Sequence, residues 1–132
     1  MEKFNYIGVF FSKETENILR KRGNKFSRPT KNLHVTVKYR PEDVPEELFG
    51  SEVSVQITGY GYSSENEGLS CKLVSENSAL QKLLDAIEVP HITLSISEDG
   101  RAVNTRYVDF SEPISFVCKG RFGGFRKGEV IL

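Results

Sequence analysis

Two short segments decide the fold expected of this chain: residues 33–38 read Leu-His-Val-Thr-Val-Lys, and residues 90–96 read Pro-His-Ile-Thr-Leu-Ser-Ile. Both follow the pattern His-apolar-Thr-apolar, the alternation typical of a half-buried β-strand. Because successive side chains of a strand point to opposite faces, each histidine shares a face with the threonine about 7 Å further along. The sequence therefore predicts two strands that bury their apolar side chains and present one histidine and one threonine on the opposite face.

The repetition of the motif carries more information than either copy. His34 and His91 are the only histidines of the chain, and only six threonines occur in its 132 residues. One such motif on a strand is most often a structural or surface feature. A threonine two positions after both histidines is an unusual coincidence, which favours a shared functional site.

The side chains of the two motifs suit phosphodiester chemistry. An ordinary imidazole titrates near pH ~6.5, so one histidine can accept a proton from an attacking water or hydroxyl while the other donates to the leaving oxygen. Threonine hydroxyls can donate hydrogen bonds to the non-bridging phosphate oxygens. We therefore predict His34 and His91 as catalytic residues and Thr36 and Thr93 as ligands of the substrate phosphate.

Metal and thiol chemistry are the alternatives. The two histidines are 57 positions apart and neither motif contains a carboxylate, whereas zinc sites usually have three or four protein ligands. Cys71 and Cys118 fall in predicted strands without neighbours that would activate a thiol. We expect no metal, no other cofactor, and reduced cysteines.

Local patterns indicate strand, helix and His-x-Thr strand in that order, twice. The first half has a strand at 6–11, a helix capped by Ser12 and closed by Gly23, a basic loop at 24–31 and a strand at 32–39. After a short helix within 43–50, the second half has strands at 53–58 and 69–74, a helix capped by Ser75 that carries Leu80, Leu83, Leu84 and Ile87, and a strand at 91–97 after Pro90. Further strands are expected at 107–110, 114–119 and 129–132, with an interruption at 120–126. The order predicts an α+β fold with two loosely duplicated halves.

Length and composition indicate one folded domain, residues 1–132. Neither a signal peptide nor a membrane-spanning stretch is recognisable, so a cytoplasmic, monomeric protein without membrane partners is expected. The net charge is zero, but residues 1–40 carry ten Lys or Arg against three acids, residues 41–100 carry two against twelve, and residues 101–132 carry six against three. If the two basic ends converge, they form a positive region for an anionic ligand; otherwise the charges are scattered and solvated.

Several residues near the motifs are secondary candidates for substrate binding. Lys38 and Tyr39 directly follow the first motif. Arg121, Phe122 and Arg126 belong to a segment that mixes cations, aromatic rings and glycines, and that either covers the cleft or fills the core with its phenylalanines. Tyr6, Tyr60 and Tyr62 either stack on a base or pack between strands.

The paired motifs resemble the signature of the 2H phosphoesterase superfamily, which includes RNA 2′,3′-cyclic phosphodiesterases, the so-called 2′-5′ RNA ligases and enzymes that degrade 2′-5′ oligoadenylates or cyclic nucleotide signals. The resemblance implies a compact bilobal, duplicated fold: two small antiparallel sheets around a central cleft, helices packed outside, and one His-x-Thr strand per lobe. It implies His34 and His91 as the acid–base pair, Thr36 and Thr93 as phosphate ligands, and RNA or a small nucleotide as substrate. A non-catalytic module that binds RNA ends or nucleotides, and the joining of 2′-5′ ends, remain alternatives. The chain is shorter, and its motifs are closer together, than is usual in that family.

Overall fold

The computed structural model, which describes residues 3–132, is mostly β: strands account for 44% and helices for 19% of the residues. The strands, numbered in chain order, are β1 Tyr6–Phe10, β2 Arg28–Pro29, β3 His34–Tyr39, β4 Glu52–Tyr62, β5 Asn66–Val74, β6 His91–Ile96, β7 Glu112–Arg126 and β8 Glu129–Ile131. The α-helices are α1 Lys13–Arg20 and α2 Ser78–Asp85, and two 3-10 helices span Glu46–Leu48 and Ala102–Tyr107.

Six of the strands form a closed antiparallel barrel. Neighbouring strands follow the order β1-β3-β6-β5-β4-β7, and β7 pairs again with β1. The length of β7, 15 residues, makes this closure possible. Its residues up to Arg121 pair with β4, and its residues from Arg121 to Phe125 pair with β1. The short strands β2 and β8 extend the wall at β6 and β7.

The predicted bilobal, duplicated α+β fold is therefore wrong. Val35 on β3 pairs directly with Ile92 on β6, so the two His-x-Thr strands are neighbours in one sheet and do not belong to separate lobes. The predicted interruption at 120–126 is also wrong, because β7 continues through it. Gly123 and Gly124 serve close packing there: a Cβ on Gly123 would lie 2.4 Å from the Ile131 carbonyl oxygen, and one on Gly124 would lie 2.4 Å from the Phe4 ring.

Several local predictions hold and others do not. Ser12 caps α1 by accepting a hydrogen bond from the Thr15 amide at 3.2 Å. The cap of α2 is Asn77 and not Ser75, since the Asn77 side chain accepts from the Leu80 amide at 3.0 Å. The strand predicted at 107–110 is absent, and the chain there leaves a 3-10 helix as a loop.

The interior of the barrel is apolar, as the alternation of the motifs requires. Leu33, Val35 and Ile92 are fully buried, and Leu94 is almost so. These side chains pack with apolar residues of every other barrel strand and with Leu19 of α1 and Leu80 and Leu84 of α2. Burial of this inner face is the main driving force that holds β3 and β6 in register.

Two segments cover the outer face of β6. The 3-10 helix Ala102–Tyr107 lies over the pair Gly68–Thr93, where a Cβ on Gly68 would be 2.5 Å from Thr105 Cγ2. The basic loop after α1 is held by the fully buried Glu67 carboxylate, which accepts hydrogen bonds from the Lys25 amide at 3.2 Å, from the Ser95 hydroxyl at 2.6 Å and from the Tyr60 hydroxyl. Neither α-helix of the described chain is long and apolar enough to cross a membrane.

Candidate active site

The two His-x-Thr motifs lie side by side on the outer wall of the barrel. Extending the Val35–Ile92 register by one residue in each direction sets His34 across from Thr93 and Thr36 across from His91. Side chains directly opposite on antiparallel strands are about 5 Å apart, and diagonal neighbours such as His34 and His91 are about 7–8 Å apart. All four residues predicted from the sequence thus share one patch.

His34 sits in an aromatic pocket formed mainly by β1. Its ring stacks on Tyr6 with centroids 4.5 Å apart and lies 5.9 Å from the Phe10 ring. Its Nδ1 is 2.7 Å from the Asn32 carbonyl oxygen and 3.3 Å from the Tyr6 hydroxyl. A carbonyl oxygen only accepts, so the neutral imidazole carries its proton on Nδ1 and offers Nε2 as the acceptor.

His91 repeats this arrangement on the neighbouring strand. Its Nδ1 is 2.7 Å from the carbonyl oxygen of Val89, the residue two positions earlier, just as Asn32 precedes His34 by two. The same tautomer follows, with the proton on Nδ1. Both imidazoles therefore offer Nε2 for proton transfer.

The pKa of each imidazole is lowered from the ordinary value. For His34, burial is the main cause and the charge of His91 also lowers the pKa, while the Asn32 carbonyl opposes the shift. For His91, burial again dominates and the Arg106 charge adds to it, while the Val89 carbonyl opposes it. Both rings are thus mainly neutral at neutral pH, and protonation of one disfavours protonation of the other.

The hydroxyls of Thr36 and Thr93 differ in whether they are free to bind a ligand. Thr36 is half-buried, and its hydroxyl has no hydrogen-bond partner within residues 3–132. Thr93 is buried, and its hydroxyl donates to Thr105 Oγ1 at 2.9 Å. Asn66 Nδ2 donates to the same Thr105 oxygen at 2.9 Å. The Thr93 proton is therefore already engaged, whereas that of Thr36 is free to meet a ligand.

The secondary candidates are distributed unevenly. Lys38 and Tyr39 are exposed where β3 continues beyond the motif. Arg121 is exposed, pairs with Phe10 across β1 and β7, and donates to the Gly50 carbonyl oxygen at 2.8 Å. The Arg126 guanidinium lies over the Phe4 ring at 4.5 Å.

Phe122 is not available for substrate binding, and the alternative that it fills the core is the one that the structure supports. It is 0% exposed and pairs with Val9 inside the barrel, so it belongs to the core and cannot contact a substrate at the outer wall. Alternation explains the difference, because Arg121 and Phe122 are consecutive residues of a strand and point to opposite faces.

Three residues near the site, Arg106, Thr105 and Tyr6, belong to neither of the two sequence motifs. Arg106 is close enough for its charge to lower the pKa of His91, and it is paired with Glu88 at 2.8 Å. Thr105 holds the Thr93 hydroxyl. Tyr6, considered from the sequence as a platform for a base, instead stacks on His34. The charge surplus of residues 101–132 was the only sequence signal that included Arg106, and it did not single that residue out.

Metal-ligating side chains and the two cysteine thiols do not provide a second kind of chemistry within the described residues. Within residues 3–132, no three His, Cys, Asp or Glu side chains come close enough together to hold a metal ion. Burial raises the pKa of the Cys71 thiol to about 12 and that of Cys118 to about 11. Both thiols therefore stay protonated at neutral pH, which makes them poor nucleophiles.

Neither a protein-family model nor a curated protein matches the chain. The resemblance to the 2H phosphoesterase superfamily therefore rests on the two motifs alone.

Proposed function

We propose that this chain is a metal-independent phosphodiesterase that acts on a nucleotide or RNA phosphodiester, either a 2′,3′-cyclic phosphate or a 2′-5′ linkage. His34 and His91 are the general acid–base pair, and Thr36 binds the phosphate. Thr93 binds it only by exchanging its hydrogen bond to Thr105 for one to a phosphate oxygen. One observation carries the proposal: the pairing of Val35 with Ile92 brings both His-x-Thr motifs together on adjacent strands. The resemblance of the motifs to those of 2H phosphoesterases supports the same reaction class.

In the proposed reaction one imidazole removes a proton from the attacking water as the oxygen–phosphorus bond forms. The other imidazole donates a proton to the leaving ribose oxygen as its bond to phosphorus breaks. Thr36 donates a hydrogen bond to a non-bridging oxygen, and the Arg106 guanidinium adds positive charge beside His91. The bound phosphate anion favours the protonated form of the acid, which offsets the effect of burial.

Substitution of each histidine tests the proposal. His34→Gln and His91→Gln keep a polar side chain but cannot exchange a proton near neutral pH, so each should lower turnover by about 10²–10⁴-fold. The assay contains a chelator and offers 2′,3′-cyclic mononucleotides, RNA ending in a cyclic phosphate, 2′-5′ oligoadenylate and cyclic dinucleotides. Lys72→Gln, an exposed change on β5, is the control.

The outcomes separate the alternatives. Full activity of both histidine variants, with melting temperatures equal to wild type, would contradict paired-histidine catalysis. Tight binding of a nucleotide or RNA end without any product would indicate a non-catalytic binding module. A preference for 2′-5′ oligoadenylate or cyclic dinucleotides would indicate an enzyme that degrades a nucleotide signal.

A further inference from the structure

A cleft of about 810 Å³ lies beside His34, between α1, the residues that precede β3, and β7. Five cationic side chains and two acidic ones line it: Lys13, Arg20, Lys31, Lys119 and Arg121, against Glu16 and Glu52. Three of the cations come from the basic N-terminal part of the chain and two from the basic C-terminal part. The fold thus brings cations of both ends to one place, which we call the basic cleft.

The cations of the basic cleft are only partly neutralised. Glu16 accepts a hydrogen bond from the Leu33 amide at 3.1 Å and lies 3.6 Å from Arg20. Glu52 lies 3.2 Å from Lys119. Within the described chain, no carboxylate is at ion-pair distance from the other three, Lys13, Lys31 and Arg121. The lining side chains therefore carry a surplus of three positive charges.

The basic cleft and the surroundings of His34 share two residues. Phe10 and Asn32 both line it. The same Phe10 ring lies 5.9 Å from the His34 ring, and the Asn32 carbonyl oxygen is 2.7 Å from His34 Nδ1. Arg121 is the neighbour of Phe10 on β7. A linear ligand that places one group at His34 can therefore extend past the Phe10 ring toward Arg121 and Lys31.

We propose that the basic cleft binds the phosphate backbone of a single-stranded oligonucleotide whose reacting phosphate lies between His34 and His91. This inference rests on the proposed function for the position of the reacting phosphate. The volume lies within the range of ligand-binding clefts, about 300–1,000 Å³. The contacts are charge contacts to phosphates, so binding is strongly salt-dependent and indifferent to base sequence. The protein then prefers oligonucleotides over mononucleotides because the cleft adds binding energy outside the reacting group.

Binding measurements test the cleft without requiring turnover. The probe is a fluorescent single-stranded octauridylate, titrated between about 50 and 200 mM salt with the His91→Gln protein. The variant Lys13→Glu/Lys31→Glu reverses two cleft charges, and Lys72→Glu/Lys82→Glu makes the same change at exposed positions on β5 and α2. The cleft variant should weaken binding at least tenfold and lower the slope of log K against log salt by more than about 1, since each phosphate contact contributes about 0.7. The control variant should change the affinity and the salt slope by only a small fraction of these amounts.

Kinetics and competition complete the test. With wild-type protein, KM for a cyclic-phosphate-ended octamer should be at least tenfold below that for the 2′,3′-cyclic mononucleotide, and the cleft variant should remove most of this difference. Equal KM values, or equal effects of both charge variants, would overturn the cleft proposal while leaving the proposed function intact. Charge-dependent binding of octauridylate with no turnover of any substrate would support the cleft and contradict the proposed function. Competition by polyglutamate as strong as that by oligonucleotide would overturn the assignment to a nucleic acid.

Discussion

At the scale of single residues, the structure makes the two histidines nearly equivalent. Each has Nδ1 at 2.7 Å from the carbonyl oxygen two residues earlier, and each has a pKa lowered chiefly by burial. They differ in their neighbours, because Tyr6 stacks on His34 whereas Arg106 lies near His91. The Arg106 guanidinium disfavours the protonated form of His91 in the free protein. Arg106 therefore influences which of the two rings acts as the base.

The lowered pKa values predict an acid-shifted rate profile. In the free enzyme the base stays neutral to lower pH than an ordinary histidine, and the acid loses its proton before pH reaches about 6.5. The optimum of kcat/KM should therefore lie below pH ~6.5. The optimum of kcat should lie at higher pH, because bound phosphate stabilises the protonated acid.

Steady-state rates from pH 4.5 to 9 in buffers of constant ionic strength provide the measurement. Two macroscopic pKa values should be fitted to the pair and not assigned to either ring. An optimum of kcat/KM above pH 7.5 would be incompatible with the two buried, uncharged imidazoles.

At the scale of secondary-structure elements, the 3-10 helix Ala102–Tyr107 controls the second motif. It contributes Thr105, which is fully buried and accepts hydrogen bonds from both Thr93 and Asn66. Gly68 makes room for it, because any larger residue there would meet the Thr105 side chain and the Ile92 carbonyl oxygen. The orientation of the Thr93 hydroxyl thus depends on an element outside the barrel sheet.

Removing the Thr105 hydroxyl should destabilise this region. Thr105→Val leaves one N–H of Asn66 without its buried acceptor, and leaves the Thr93 hydroxyl with only the Ala102 carbonyl oxygen at 3.4 Å. This should cost about 1–3 kcal/mol of unfolding free energy. Thr105→Ser keeps the oxygen and should retain most of that stability. Urea unfolding monitored by circular dichroism measures the difference.

Thr58→Val is the matched control. The Thr58 hydroxyl also contacts a hydroxyl at 2.9 Å, that of Ser70, but the two residues are only half-buried, so water can replace the lost bond. A loss for Thr58→Val as large as that for Thr105→Val would argue against burial as the cause.

At the scale of the whole molecule, closure of the barrel joins distant parts of the chain. β1, from the beginning, lies between β3 and the last long strand, β7. The core formed by these strands is one contiguous cluster that includes Ile7, Val55 and Phe122. Among the described residues, the core is not divided into two separate halves.

The barrel should therefore unfold in a single cooperative step. Midpoints in urea from far-ultraviolet circular dichroism and from tyrosine fluorescence should coincide, as expected for two-state unfolding of a domain of this size. Two lobes with separate cores would instead give two transitions, or midpoints that differ between the probes. The observation of either would contradict the closed barrel.

Local patterns in the sequence predicted much of the candidate site. The alternation around His34 and His91 placed Val35 and Ile92 in the core and the two histidines and threonines on the other face. The Ser12 cap and the leucines of α2 were likewise readable, because each depends on residues two to four positions apart. The sequence left the role of Phe122 open between the cleft and the core, because it predicted an interruption between strands at 120–126 and the alternation with Arg121 was not applied.

The sequence by itself determined that two strands each carry a histidine and a threonine on one face, since side-chain alternation is local. Only the tertiary structure decided that these strands are neighbours, that β7 closes the sheet on β1, and that Thr105 and Arg106 reach the second motif. Strand pairing depends on hydrogen bonds and packing between residues far apart in the chain, which leave no local periodicity. For the same reason, the charge pattern marked two basic ends, but their convergence beside His34 depends on the closed barrel.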